Sequence, residues 1–290
     1  VMSLNRLSTS SRAAALLGLA GIAAGIAQPV DAGPTSIGLV PHRAVYDMKL
    51  ERTNASAGIS ALTGRMVFEL KGSACSGYEQ TMRFVTETLD QSGKPAMTDQ
   101  RSVFKEEAGT GRFSFKTRQY RNDRLTETTI GTAARGRDPA RLDIQIEKPK
   151  TKRIRIKEPV LFPVEHSIRL LEAAHSGKSM FAVNLYDGSE KGEKIYNTTA
   201  LLGPRKPAGV NRGLAGEGVA SSLDDLAAWP VSLSYFEIDG KRRDAVPSYE
   251  LSFLYFENGV SRKLFIDYGT FSMSGRLIKL TMLPVEKCRK

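Results

Sequence analysis

Phe253-Leu-Tyr-Phe-Glu257-Asn258-Gly259-Val260-Ser-Arg-Lys-Leu-Phe-Ile-Asp-Tyr268 is two β-rich runs broken by Asn-Gly. Asn-Gly between runs of aromatic and β-branched residues is the strongest short-range hairpin signal, because tight primed turns need positive φ at their central positions. Working outward, comparable runs recur toward the C-terminus at 271–283 and toward the N-terminus at 249–257, 231–238, 193–201 and 181–186. Eight more precede them, at 42–50, 62–71, 78–87, 99–105, 112–120, 125–130, 142–148 and 152–157. Ser92-Gly93, Asn122-Asp123 and Asp239-Gly240 punctuate them. About fourteen strands with short connections predict an all-β fold, a large antiparallel open barrel, closed barrel or sandwich. No internal repeat and no Pro/Ser-rich linker divides the chain, so residues 33–290 are expected to form one domain.

Two segments read as helices. Pro163–Ser176 places Val164, Ile168, Leu171 and Ala174 near one face, with Pro163 at a first helical position and Gly177 as a stop. Ser221–Trp229 carries a Ser221…Asp224 capping pair and ends before Pro230. Such helices either plug the interior of an open barrel or pad a sheet face, and amphipathicity alone does not choose between them.

The 290 residues carry 42 Lys+Arg against 31 Asp+Glu, with 41% hydrophobic residues, which excludes a disordered or collagen-like chain. Residues 2–32 have Arg6 and Arg12 ahead of the apolar run Ala13–Ala27, then Gln28-Pro29 and a small-residue site at Ala32/Gly33. That is the pattern of a cleaved secretory signal peptide. The run falls short of the roughly 20 residues that span a bilayer, and no Cys follows it to take a lipid anchor. Cleavage removes Arg6, Arg12 and Asp31, leaving 40 basic against 30 acidic residues, so the basic bias belongs to the exported chain.

The most conspicuous basic run, Lys148–Lys157 (KPKTKRIRIK), has a structural reading. Folded as a hairpin turning near Lys150, it pairs Glu147 with Arg153, Gln145 with Arg155 and Asp143 with Lys157 on one face, and Ile146 with Ile154 and Ile144 with Ile156 on the other. Lys148, Lys150 and Lys152 remain at the tip as a candidate contact for anionic lipid headgroups or acidic polymers. Nucleic acid is not an expected partner.

Motifs for chemistry are scarce. Ser102-Val-Phe-Lys105 has the Ser-x-x-Lys spacing, but in a strand it would put the two side chains on opposite faces. Gly213–Gly218 is glycine-rich without a preceding strand of a strand-helix-strand unit, which reads as a loop. His42, His166 and His175 are scattered, and with two cysteines they supply too few ligands for most His/Cys metal sites. No catalytic residue, metal or cofactor is expected. Cys75 and Cys288 are the one possible intramolecular pair; export favours a disulfide, and two buried thiols are the alternative. A bond closing so long a loop would constrain the unfolded chain by about 5 kcal/mol.

Pro41-His-Arg-Ala-Val-Tyr46, Cys75-Ser-Gly-Tyr78-Glu-Gln80, Leu161-Phe-Pro163-Val-Glu165-His166, Tyr186-Asp-Gly-Ser189 and the terminal Cys288 together resemble the EipB family, cell-envelope integrity proteins of alphaproteobacteria, over essentially the whole exported chain. The resemblance implies a periplasmic β-spiral, an open barrel-like sheet around a helix, stapled by a disulfide at the positions of Cys75 and Cys288. It implies a non-enzymatic role in envelope integrity and in resistance to envelope stress, including cell-wall antibiotics. The spiral is similar to lipoprotein-carrier folds, which by fold analogy suggests a groove for a lipid, lipoprotein or peptide. The expected state is a monomer acting through a periplasmic protein partner, with a hydrophobic-ligand carrier as the alternative and a cell-wall hydrolase as a third.

Overall fold

The structure, a computed structural model, describes residues 37–136, 138, 140–209, 223–238, 246–286 and 288. The signal-peptide region with Ala32 and Gly33, the Gly213–Gly218 loop and the Asp239-Gly240 turn lie outside the described residues.

Among the described residues fourteen strands form, one for each run predicted from the period-two pattern. They are β1 (His42–Thr53), β2 (Ile59–Ser73), β3 (Gly77–Asp90), β4 (Pro95–Glu106), β5 (Arg112–Arg121), β6 (Arg124–Arg135), β7 (Leu142–Lys148) and β8 (Lys152–Ile156), then β9 (Met180–Leu185), β10 (Tyr196–Leu202), β11 (Ala228–Glu237), β12 (Tyr249–Phe256), β13 (Ser261–Asp267) and β14 (Phe271–Met282). They make one antiparallel sheet in the order β8-β7-β6-β5-β4-β3-β2-β1-β14-β13-β12-β11-β10-β9. The sheet is open, with β8 and β9 at its edges. At its centre β1 pairs with β14 from His42↔Met282 to Thr53↔Phe271, so the first and last strands meet there. The Cys75–Cys288 disulfide reinforces that junction, with Cα atoms 5.7 Å apart across a sequence separation of 213.

Two local readings are corrected. The Asn258-Gly259 hairpin forms, but its loop is Glu257–Gly259: Gly259 N–H donates to the Phe256 carbonyl, Gly259 has φ +88°, and Asn258 is not in the left-handed region. That is a type I turn closed by a glycine bulge, which needs only one positive φ. In the β7–β8 hairpin the predicted faces are right and the register is off by two, since Ile144 pairs with Ile154, Asp143 with Arg155 and Gln145 with Arg153. The turn centres on Pro149 and brings Lys152 opposite Ile146; a shift of two leaves every side chain on its predicted face.

The helix α1 (Pro163–His175) starts at the predicted proline and ends in a Schellman arrangement, in which Lys178 N–H reaches the Ala173 carbonyl and Gly177 N–H the Ala174 carbonyl. It buries Val164, Leu170, Leu171, Ala173 and Ala174 in a cluster shared with Leu70 of β2, Tyr78 of β3, Ala200 and Leu202 of β10, and Trp229, Val231 and Leu233 of β11. Walls from both halves of the sheet thus meet the helix, which plugs the interior. The second predicted helix does not form. Ser221 and Ser222 lie outside the described residues, Leu223–Leu226 is a turn, and β11 takes Ala228, Trp229 and Pro230, with Trp229 opposite Tyr255. Nine residues ahead of a proline are too few for a stable helix, and the tertiary ladder claims the last two of them.

Part of the β9 edge is covered from within the chain. Leu161, between β8 and α1, lies beside β9: its N–H donates to the Asn184 carbonyl and its carbonyl accepts from Tyr186 N–H. Beyond β9 the chain runs over the face of β5, where a Cβ on Gly188 would come 2.5 Å from the Phe115 ring and one on Gly192 3.0 Å from it. Tyr186 meets Phe115 edge-on at 5.8 Å, and Lys191 reaches Glu127 of β6. One end of the sheet therefore overlaps the other, and the sheet is a spiral.

Gly188→Ala should lower the unfolding free energy by about 2–4 kcal/mol in urea titrations. Gly93→Ala, also at positive φ but with open space around the added carbon, should lose only about 1 kcal/mol. Equal losses would mean that the Phe115 contact contributes nothing beyond backbone strain.

Candidate functional site

Because paired residues of antiparallel strands share a face, register alone maps the wall that faces the helix. One row reads Leu70, Gln80, Phe104, Phe115, Gly131 and Ile146 across β2 to β7, closely packed. The next reads Phe68, Met82, Ser102, Thr117 and Thr129, then Met66, Phe84, Gln100 and Gln119, then Gly64, Thr86 and Thr98. Moving along the strands, the wall changes from aromatic and aliphatic to methionine, hydroxyl and amide. The hydroxyls pair with each other, Thr86 with Thr98 at 2.6 Å and Ser102 with Thr117 at 3.1 Å. At the far end of these strands a groove of about 640 Å3 takes lining from both faces of the sheet, Leu62, Thr88 and Ala96 from this one and Thr63, Glu87 and Met97 from the other. Its lining is mostly apolar carbon with hydroxyl and amide groups and one carboxylate, Glu87.

The plug is fixed by a residue that sequence reading missed. Glu106, at the end of β4, accepts from the backbone N–H groups of Val164 and Glu165, supplying the helix cap that Phe162 at the N-cap cannot. Beside it, Arg135 of β6 is ion-paired with Glu165, and its guanidinium lies 4.5 Å above the Phe162 ring. Burial pushes the Glu106 carboxyl up to about 7, outweighing the two backbone hydrogen bonds that favour its charged form. Nothing local in Lys105-Glu106-Glu107 announces a cap for a helix 58 residues away.

The residues nominated from sequence scatter. His42 is buried with Nδ1 2.7 Å from the Val40 carbonyl, and burial is the first cause of its lowered pKa. His166 meets the Thr198 hydroxyl at 3.0 Å, and burial lowers its pKa to about 4, so it is neutral. His175 packs on Trp229. Among the described residues, no group of three His, Cys, Asp or Glu could hold a metal ion. Ser102 and Lys105 face opposite sides, Ser102 toward Thr117 and Lys105 toward Glu79 at 2.7 Å. At the β7–β8 tip, Lys148 and Lys150 are exposed, but Lys152 is drawn to Glu193 beyond β9, so the tip presents two lysines instead of three. Only the cysteines come together.

A family model described as EipB-like matches residues 34–284. The chain belongs to the EipB-like family. The cell envelope integrity protein EipB of Brucella abortus (strain 2308) is 34% identical over 254 residues, covering 87% of this chain and 88% of the relative. A crystal structure of a β-barrel-like protein from Brucella abortus, of a domain of unknown function, superposes with a TM-score of 0.76 at 32% identity, covering 85% of this chain and 99% of that one. The fold is therefore that of the EipB-like proteins, and no helix among the described residues is long and apolar enough to cross a membrane.

The raised pKa of Glu106 gives a signed expectation. Its carboxyl ionises near 4.5 when unfolded and near 7 when folded, so its contribution to stability is present below about pH 4.5 and is lost as pH rises to about 7. The loss is about 3 kcal/mol. In E106Q, the fall in unfolding free energy between about pH 5 and about pH 8 should shrink by a comparable amount; an unchanged fall would place the ionisation elsewhere.

Proposed function

We propose that this EipB-like chain is a non-enzymatic periplasmic factor that maintains cell-envelope integrity and resistance to envelope stress, acting as a monomer through contacts with a protein partner or lipid. The observation that carries the reading is the 34% identity, across 87% of the chain, to a protein named for cell-envelope integrity. Two features of this chain support the compartment. The segment 2–32, with its Ala32/Gly33 site, has the form of a leader peptide, and the Cys75–Cys288 bond is of a kind that persists in oxidising compartments. No cofactor enters the proposal.

A second reading, the carriage of a hydrophobic ligand, is favoured by the wall of Phe68, Met82, Met66 and Phe84 on the helix-facing side of the sheet, interleaved with hydroxyls and amides. It differs from the first in what the purified protein should contain. Lipid or peptide seen bound by native mass spectrometry would move the conclusion to a carrier.

In a bacterium whose copy of the gene is deleted, sensitivity to cell-wall antibiotics should rise by about an order of magnitude. The full-length chain should restore growth, and a chain lacking residues 2–32 should not. Rescue by the leaderless chain would overturn the periplasmic placement, and a deletion without a phenotype would overturn the role.

A further inference from the structure

The face of the sheet turned away from the helix carries rows of paired residues with opposite charge logic. One row runs Lys71, Glu79 and Lys105 across β2, β3 and β4, alternating in sign, with Lys105 and Glu79 in contact at 2.7 Å and Lys71 held by Glu69 at 2.6 Å. This is how an exposed sheet satisfies its own charges. Two rows away, Arg83, Arg101 and Arg118 stand directly opposite one another across β3, β4 and β5. Like charges in directly opposed positions oppose folding. Lys116 of β5 adds a fourth cation on the same face, opposite Val103.

One carboxylate touches this group, and Asp123 attracts Arg101 from farther off. Asp99 is buried at the foot of the row and holds Arg83 at 2.9 Å and Arg101 at 2.7 Å, while both arginines stay more than half or about half exposed, at 57% and 50%. Burial alone would raise the Asp99 pKa, but the hydrogen bonds from Arg101 and Arg83 prevail and lower it, so the carboxylate is charged. Arg101 is further fixed over the Tyr120 ring at 4.8 Å. Asp99 therefore orients two guanidiniums, and four cations against Asp99 and Asp123 leave the cluster net positive. Arg118 and Lys116 are both exposed.

We propose that the row Arg83, Arg101 and Arg118, with Lys116, is a docking surface for the phosphate headgroups of an anionic lipid bilayer. Three adjacent strands spread the guanidiniums over about 10 Å, an array and not a point. The 640 Å3 groove is lined by none of them, so the surface suits a planar partner better than an enclosed small anion. Arginine's planar fork matches phosphate oxygens in pairs, which a lysine cannot do. An array of headgroup phosphates supplies counter-anions for every member of the row at once. The inference takes its biological setting from the envelope role proposed above, but its test needs only purified components.

Oxidised protein spanning residues 33–290, which contain all fourteen strands and the helix, is titrated with vesicles of phosphatidylglycerol and phosphatidylcholine, and with pure phosphatidylcholine. Binding should require phosphatidylglycerol and fall steeply with added salt. K116Q/R118Q leaves the Asp99 contacts intact and should weaken binding by about 10- to 30-fold. K71Q/K105Q removes the same charge from the alternating row of the same face and should stay within about twofold of the parent. Equal losses in the two variants would reduce the effect to net charge and overturn the proposal, as would no loss in K116Q/R118Q. Failure of the parent to bind vesicles, with binding to polyglutamate that K116Q/R118Q abolishes, would overturn it in favour of an acidic protein segment.

Discussion

An antiparallel sheet of fourteen strands that does not close leaves two edges, and the fold depends on how the Phe115 ring accepts the chain that leaves one of them. Gly188 and Gly192 lay bare backbone against that ring, and Gly131 of β6 clears space on its other side, where an added Cβ would come 2.4 Å from the ring. With a side chain at Gly188 or Gly192 the segment after β9 could not lie so close. This contact makes the sheet overlap itself, and the overlap brings Lys191 to Glu127 and Lys152 to Glu193. Part of the β9 edge, otherwise a template for pairing with another chain, is taken up within the molecule at Leu161.

The same overlap positions the plug. Residues 157–179 connect the two edge strands, so once the edges approach, this segment has the spiral interior beside it, and α1 fills it. Glu106 and Arg135 then fix the helix start from two neighbouring regions of the sheet, joining the plug to the wall at its closely packed end. Farther along the strands the wall turns to methionine, threonine and glutamine. A rigid apolar end and a more polar, open end thus share one sheet.

The strands were legible because each presents alternation bounded by Gly, Asn or Asp, and Leu142–Lys148 even kept its predicted limits. The helix was legible from Pro163 and Gly177. Ser221–Trp229 misled because a short amphipathic run before a proline satisfies helix rules locally, while its Trp gains more by pairing with Tyr255 and packing on His175. The β7–β8 register missed by two because pairing is counted from the turn, and the turn lies one residue earlier than Lys150. Glu106 was invisible for a different reason: a cap supplied from 58 residues away has no local pattern. The arginine row was hidden likewise, since Arg83, Arg101 and Arg118 become neighbours only when two hairpin registers are known together.

Cys75 sits in the turn between β2 and β3, whereas Cys288 follows the last strand, and β1 cannot complete its pairing until β14 exists. A chain made from its N-terminus can pair β1 with β2 early, but must hold the other edge of β1 and the Cys75 thiol unpaired until β14 and Cys288 have been made. Folding of the sheet's centre is a terminal event, set by long-range closure and not by local hairpins. With only two cysteines in the sequence, that wait carries no risk of a wrong internal bond. The hazard is intermolecular, between two chains that each display an early cysteine and lack a late one.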